Sequence, residues 1–198
     1  LDTGALYRAV TWLALEHKCE EAFSILQAIK DNPIKFDADP QSPNVYAGET
    51  QITHAIRGTS VTDNVSRISA IPEIRHELMK LQHFIIDSAE RGIVVEGRDI
   101  GTVVAPEAGL KIYLTADLEA RAVRREIETE DKSVDVKTSL DNRDTEDSTR
   151  IVSPLTMAAD AVEVDSTNLD LEETIERIWE LLKQRNLLGL PIVAILGR

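Results

Sequence analysis

The chain has 198 residues, a length typical of one domain or of one domain with an insert. Its 42% of hydrophobic residues indicates a folded protein, and its net charge is −13, with a pI near 4.7. The acidic charge argues against broad binding of nucleic acid, because such binding needs a positive surface. The single cysteine, Cys19, excludes an internal disulfide and a cysteine-based zinc site. The sequence has neither a secretory signal nor an apolar run long enough to span a membrane, so we expect a cytoplasmic protein.

The first third of the chain has the pattern of two helices followed by short strands. Asp2 or Thr3 is placed to cap a helix over residues 3–18, and a second helix over residues 20–31 is expected to end before a proline. Residues 34–61 then have the composition of short strands, with a turn at Gly48 and Glu49. A strand-rich stretch between helices is typical of an insert.

The rest of the chain alternates helices with short apolar strands. Thr62 and Asp63 begin a helix that breaks near Pro72, and the helix after the break ends at Gly92. The predicted strands then cover residues 93–96, 110–115 and 161–164, and the predicted helices cover 117–130, 134–145 and 170–185, the last opened by an Asp170–Glu173 capping box. This alternation predicts an α/β fold with a parallel sheet covered on both faces, and ligands bind beyond the carboxyl ends of such strands.

Two stretches place charged side chains where a ligand of such a sheet would bind. At the start of the first helix, the Thr3 hydroxyl and the free N–H groups favour an anion, and Arg8 is long enough to reach it. After the strand at 93–96, a glycine-rich segment carries Arg98 and Asp99 side by side. The plainer alternatives are a capped helix with a solvated arginine and a surface ion pair of little energetic value.

Charged residues also cluster on two predicted helices. A positive edge suited to neutralising a polyphosphate is formed by Arg121, Arg124 and Arg125. If the segment is helical, Arg143, Asp147 and Arg150 lie on one face, with two guanidinium groups around a carboxylate. Pairing with nearby glutamates, or solvation of a charged helix, is the alternative. The four histidines have no metal-ligand spacing, so we expect no protein metal site.

Together these stretches resemble the bacterial cytidylate kinases, which are nucleoside monophosphate (NMP) kinases of the P-loop group. The motifs that carry the resemblance are Leu1-Asp-Thr-Gly-Ala-Leu-Tyr-Arg, Glu96-Gly-Arg-Asp-Ile-Gly-Thr-Val-Val, Arg121-Ala-Val-Arg-Arg, the segment from Arg143 to Arg150, Ala158-Ala-Asp-Ala and Val164-Asp-Ser-Thr. Their order along residues 1–185 is highly specific. The resemblance implies a P-loop kinase-like parallel sheet with helices on both faces, a strand-rich NMP-binding insert over residues 33–66 and a lid over residues 121–135.

The resemblance also implies a reaction and the residues that serve it. The reaction is transfer of the ATP γ-phosphate to CMP or dCMP with Mg²⁺, and the residues implied as catalytic are Arg98, Arg121, Arg124 and Arg125. The residues implied near the CMP phosphate are Thr3, Arg8 and Arg98. Those implied near the cytosine are Ser66, Arg75, Asp99 and Arg150, and those near the sugar are Arg143 and Asp147. A carboxylate beside several donors suits cytosine, which presents an amino donor next to two acceptors.

Two departures from the family pattern bear on activity. The 198 residues contain no Gly-x-x-x-x-Gly-Lys-[Ser/Thr] loop, which the family carries just upstream of the Leu-Asp-Thr-Gly stretch, so we expect this polypeptide alone to transfer phosphate poorly. Residues 186–198 have the pattern of a linker and an apolar strand, which resembles the start of the bacterial tandem-domain ribosome-assembly GTPases. The parent protein would then be a fusion of a kinase with a GTPase, and an ordinary C-terminal strand is the alternative.

Two other functions stay open at this point. One is a different NMP kinase, such as a UMP/CMP kinase, and the other is a nucleotide-binding module without catalysis. For a cytidylate kinase we expect small-molecule partners, CMP or dCMP and ATP, with no nucleic acid bound by the kinase domain and no membrane association.

Overall fold

The computed structural model describes residues 1–37, 43–90, 92–128, 136–149, 155–188 and 193–197. The chain divides into two compact units, Leu1–Ile85 and Ile86–Arg198. The division falls within one helix, Pro72–Asp87. Among the described residues, no helix combines the length and the apolar character needed to cross a membrane.

The first unit combines helices with a small antiparallel sheet. Its elements are α1 (Thr3–Glu16), α2 (Ala22–Asp31), β1 (Ile34–Asp37), β2 (Asn44–Ala47), β3 (Thr50–Gln51), a 3₁₀ turn (Ala55–Arg57), α3 (Thr59–Ser69) and α4 (Pro72–Asp87). The strands pair in the order β1-β2-β3, with Ala47 opposite Thr50 across the predicted turn. Gly48 has a φ of +59° there, a conformation that glycine adopts without strain.

The core of the first unit forms around α1. Leu6, Val10 and Leu13 recur at helical spacing and are almost completely buried. They belong to one cluster with apolar side chains from the other elements of the unit: Ile25, Ile34, Val45, Ile56, Ile68, Ile74 and Leu78. The strands β1 and β2, which the sequence predicts within an insert, therefore share the core of α1.

The second unit is built on a parallel sheet. Its elements are β4 (Ile93–Gly97), a π-helical turn (Ile100–Val104), β5 (Leu110–Thr115), α5 (Leu118–Glu128), α6 (Val136–Thr149), β6 (Val162–Asp165), α7 (Leu171–Gln184) and β7 (Val193–Gly197). The strand order is β4-β7-β5-β6, and every neighbouring pair is parallel. Leu110, Ile112 and Val164 form a core with Leu181 of α7.

Several elements differ from the sequence expectations. Helix α4 ends at Asp87, before the expected stop at Gly92, and α6 runs to Thr149, beyond the predicted end at residue 145. Helix α3 begins at Thr59, three residues before the predicted start, because Gly58 in an extended conformation serves as its N-cap. The π-helical turn was not predicted, since a five-residue apolar run after a strand carries no signal for that geometry. The C-terminal apolar run is confirmed as a strand, and it lies inside the sheet between β4 and β5.

Candidate active site

Arg98 and Asp99 stand at the carboxyl end of β4, the edge at which parallel sheets bind ligands. The Asp99 side chain is buried, and Arg98 is partly exposed. The backbone at this point is fixed by the π-helical turn, because the carbonyl oxygen of Asp99 accepts hydrogen bonds from the N–H of Val103 at 2.8 Å and the hydroxyl of Thr102 at 3.3 Å. The turn thus holds the Arg98–Asp99 pair in a defined orientation.

Arg98 is joined to α6 and α5 through one carboxylate, that of Asp144. Oδ1 of Asp144 accepts a hydrogen bond from Arg98 at 3.1 Å, and Oδ2 accepts one from Arg121. The Asp144 side chain is only 9% exposed, whereas each arginine side chain is 21% exposed. The arrangement is a buried anion beneath two partly exposed cations.

Asp144 carries a negative charge at neutral pH in this setting. Its burial acts to raise the pKa, but the hydrogen bonds and charges of Arg121 and Arg98 together outweigh burial, so the pKa of Asp144 lies below its ordinary value. The ionised form therefore pairs with both guanidinium groups.

The three arginines of α5 have different surroundings. Arg121 donates from Nε to the carbonyl of Ala116 at 3.2 Å, besides its bond to Asp144. Arg124 donates to the hydroxyl of Ser166 at 3.1 Å and to the carbonyl oxygens of Ser166 and Leu169. Arg125 is partly buried on the same helix. The guanidinium group of Arg124 thus ties α5 to the loop after β6 in this structure.

In the first unit, Thr3 and Arg8 both belong to α1. Asp2 is the N-cap, since its carboxylate accepts the N–H of Ala5 at 2.9 Å, and Thr3 is the first residue of the helix, with its side chain buried. Arg8 donates to the hydroxyl of Thr62 at 3.0 Å and to the carbonyl of Ile56 at 3.2 Å. Arg8 is therefore held toward the start of α3 and the preceding 3₁₀ turn.

Ser66 and Arg75 lie on α3 and α4 of the same unit. Arg75 is only 4% exposed, donates to the carbonyl of Ser69 at 3.1 Å and lies over the ring of Tyr7, with 5.2 Å between its guanidinium carbon and the ring centroid. Such a cation–π contact stabilises a buried arginine. Ser66 is half-buried on α3, and its backbone carbonyl accepts a hydrogen bond from the hydroxyl of Ser69.

The remaining predicted residues are only partly covered. Arg143 and Asp147 lie within α6, in agreement with the helix that their spacing requires. Arg150 and residues 129–135 of the predicted lid lie outside the described residues.

Sequence reasoning missed the ion pairs that Asp144 and Lys111 form in the second unit. Asp144 stands next to Arg143 in a quoted motif, but its partner Arg98 is 46 residues away, so spacing gave no signal. Lys111 of β5 is almost completely buried and bonds both carboxylate oxygens of Asp160 at 2.8 Å. Here a lysine within an apolar strand was the available signal, because a buried lysine needs an acidic partner.

Comparison with known protein families gives one extensive match. Residues 1–184 match the family model described as "Cytidylate kinase". The matched region contains every site residue predicted from the sequence.

Individual relatives of the same description cover most of the chain. A cytidylate kinase of Streptococcus thermophilus (strain CNRZ 1066) is 44% identical over 192 residues, which cover 93% of this chain and 84% of that protein. A cytidylate kinase of Streptomyces avermitilis is 44% identical over 188 residues, or 93% of this chain and 81% of that protein. One from Streptococcus sanguinis (strain SK36) is 44% identical over 192 residues, again 93% and 84%.

Proposed function

Because the chain belongs to the cytidylate kinase family, we propose that the protein its gene encodes transfers the γ-phosphate of ATP to CMP and dCMP, giving CDP and dCDP. The chain is a phosphotransferase of the nucleoside monophosphate kinase group, with the P-loop kinase fold of that family. The observation that carries the function is the extent of the similarity, which spans residues 1–184. Use of dCMP is the finer part of the proposal, since CMP and dCMP share the same base and phosphate.

Cytosine recognition is assigned to the side chains that the family resemblance implies near the base. The buried Asp99 carboxylate accepts a hydrogen bond from the cytosine amino group, which uracil lacks. Ser66 and Arg75 donate to the acceptors of the base. Support for Arg75 comes from its burial against Tyr7, which holds the guanidinium in one place. Arg150 completes the cytosine set, and Arg143 and Asp147 bind the sugar.

Phosphate binding is assigned to hydroxyl and guanidinium groups. Thr3, Arg8 and Arg98 contact the CMP phosphate. Arg98 acts with Arg121, Arg124 and Arg125 in neutralising the charge of the phosphoryl group during transfer. The sharing of Asp144 by Arg98 and Arg121 supports the pairing of these two, since it fixes both at the carboxyl edge of β4.

The reaction needs no general base, because the attacking atom is an oxygen of an already anionic phosphate. Catalysis is then mainly positioning and charge neutralisation. Among the described residues, no group of three His, Cys, Asp or Glu side chains is placed to hold a metal ion. Mg²⁺ is commonly held by substrate phosphates and water with few protein ligands, so we propose that it enters with ATP as part of the substrate.

The test of this function compares four phosphate acceptors, all assayed with the protein that the gene encodes. With MgATP, CMP and dCMP are expected to yield diphosphates, and UMP is expected to have a kcat/KM lower by about 5- to 150-fold if one base contact discriminates. AMP is expected to react least. Similar values for UMP and CMP would instead indicate a UMP/CMP kinase.

A separate measurement of CMP binding distinguishes substrate recognition from catalysis. The 198-residue chain, which contains no Gly-x-x-x-x-Gly-Lys-[Ser/Thr] loop, is expected to bind CMP in calorimetry and to form little CDP. Efficient turnover by this chain would contradict the second expectation, and absence of CMP binding would contradict the first.

A further inference from the structure

The Asp144 carboxylate is the point at which three elements of the second unit meet. It lies on α6, and its two oxygens bond Arg98, which follows β4, and Arg121, on α5. The carboxylate is nearly inaccessible, whereas both arginines keep about a fifth of their side-chain surface exposed. The exposed side of this cluster is therefore made by its cations.

We propose that Asp144 is a positioning residue for phosphoryl transfer, which holds the partly exposed guanidinium groups of Arg98 and Arg121 together as a pair. The inference rests on the proposed function, because it assigns the pair to the phosphate chemistry of the same site. Asp144 itself does not contact the substrate.

The geometry of the hydrogen bonds supports this role. Each arginine uses its NH1 nitrogen for Asp144, and Arg121 is also fixed through Nε by the carbonyl of Ala116. A guanidinium has five N–H donors, and the two bonds of Arg121 occupy only two of them. Arg121 is thus fixed at two points without using all of its donors.

The charges lead to the same conclusion. Two guanidinium groups brought together repel each other, and a carboxylate between them offsets that repulsion. An arginine pair arranged before the substrate arrives needs little reorganisation during transfer, which is the condition under which charge stabilisation is most effective.

The experiment measures kcat and KM for CMP in Asp144→Asn, in the protein as its gene encodes it. Asparagine has the same shape but carries no charge and accepts through one atom, so it releases one arginine. We expect kcat to fall by about 10- to 100-fold, with the KM for CMP changed by less than about threefold. The matched control is Asp160→Asn, which removes the carboxylate partner of Lys111 in the same unit and is expected to keep kcat.

A double-variant cycle distinguishes positioning from general destabilisation. If Asp144 acts through Arg98, adding Asp144→Asn to Arg98→Lys should lower kcat by much less than it does in the wild type. Fully additive losses, or an unchanged kcat in Asp144→Asn, would overturn the inference. Should Asp144→Asn be unfolded at the assay temperature, Asp144→Glu, which keeps the charge on a longer side chain, gives the same cycle. A wild type without CMP kinase activity would instead overturn the proposed function, and this inference with it.

Discussion

Asp99 is a buried carboxylate at the carboxyl end of β4, and we assign it to the cytosine amino group. Asp99→Asn keeps the shape of the side chain, but its amide can turn to donate to the O4 acceptor of uracil. The preference for CMP over UMP is therefore expected to narrow by about 1–3 kcal/mol. The measurement is the ratio of kcat/KM for the two acceptors in wild type and variant.

The control for this variant is Asp165→Asn, at the carboxyl end of β6. Asp165 bonds the hydroxyl and the N–H of Thr167, so its replacement changes a strand end without touching the proposed base contact. It should leave the CMP to UMP ratio unchanged. If Asp99→Asn lowers both values equally, Asp99 organises the neighbouring arginines and does not read the base.

At the level of single residues, the sequence predicted positions well and long-range partners poorly. Arg98 and Asp99 lie at the end of a strand, as predicted, because an apolar run followed by a glycine determines that location locally. The partners of Arg98 and Arg124 could not be predicted, since Asp144 and Ser166 are 46 and 42 residues away. Such pairs depend on how helices return to the sheet, which spacing along the chain does not encode.

The sequence predicts the start of helix α7 from a capping box. Asp170 accepts the N–H of Glu173 at 2.8 Å, and Glu173 accepts the N–H of Asp170 at 2.9 Å, which confirms the capping box. Asp170→Ala is expected to lower the free energy of unfolding of the second unit by about 1 kcal/mol, because it leaves an N-terminal N–H of the helix without its acceptor. Urea denaturation monitored by circular dichroism measures this change.

Glu176→Ala provides the comparison on the same helix. Glu176 is exposed in the middle of α7, away from the cap, so its replacement is expected to change stability by less than about 0.5 kcal/mol. Equal losses in the two variants would show that the cap contributes nothing specific.

Elements without a local signal are located less well by the sequence. The polar residues Thr62 and Asp63 suggest the start of α3, but the extended Gly58 is its N-cap and the helix begins at Thr59. The apolar run of β7 predicts a strand and leaves its place in the sheet open. Strand order depends on long-range pairing, and an apolar strand suits any interior position of a parallel sheet.

For the whole molecule, the net charge of −13 argues against binding of nucleic acid. A protein that binds nucleic acid without sequence preference must neutralise several phosphates, and its affinity then falls steeply with salt. We expect no binding of duplex DNA or RNA at about 50 mM salt in fluorescence anisotropy. Binding of CMP in the same buffer is the positive control, and a salt-dependent nucleic-acid complex would contradict the expectation.

The place of β7 in the sheet has a consequence for the order of folding. In the parallel pair of β4 and β7, Ile93 lies opposite Val193, a hundred residues further along the chain. During synthesis, the first unit has all of its own residues available once Ile85 has left the ribosome. The sheet of the second unit in this arrangement stays divided into β4 on one side and β5 with β6 on the other until β7 has emerged. Because closing so long a loop is slow, exposed strand edges would persist longest in that unit, which makes it the part of the nascent chain most dependent on chaperones.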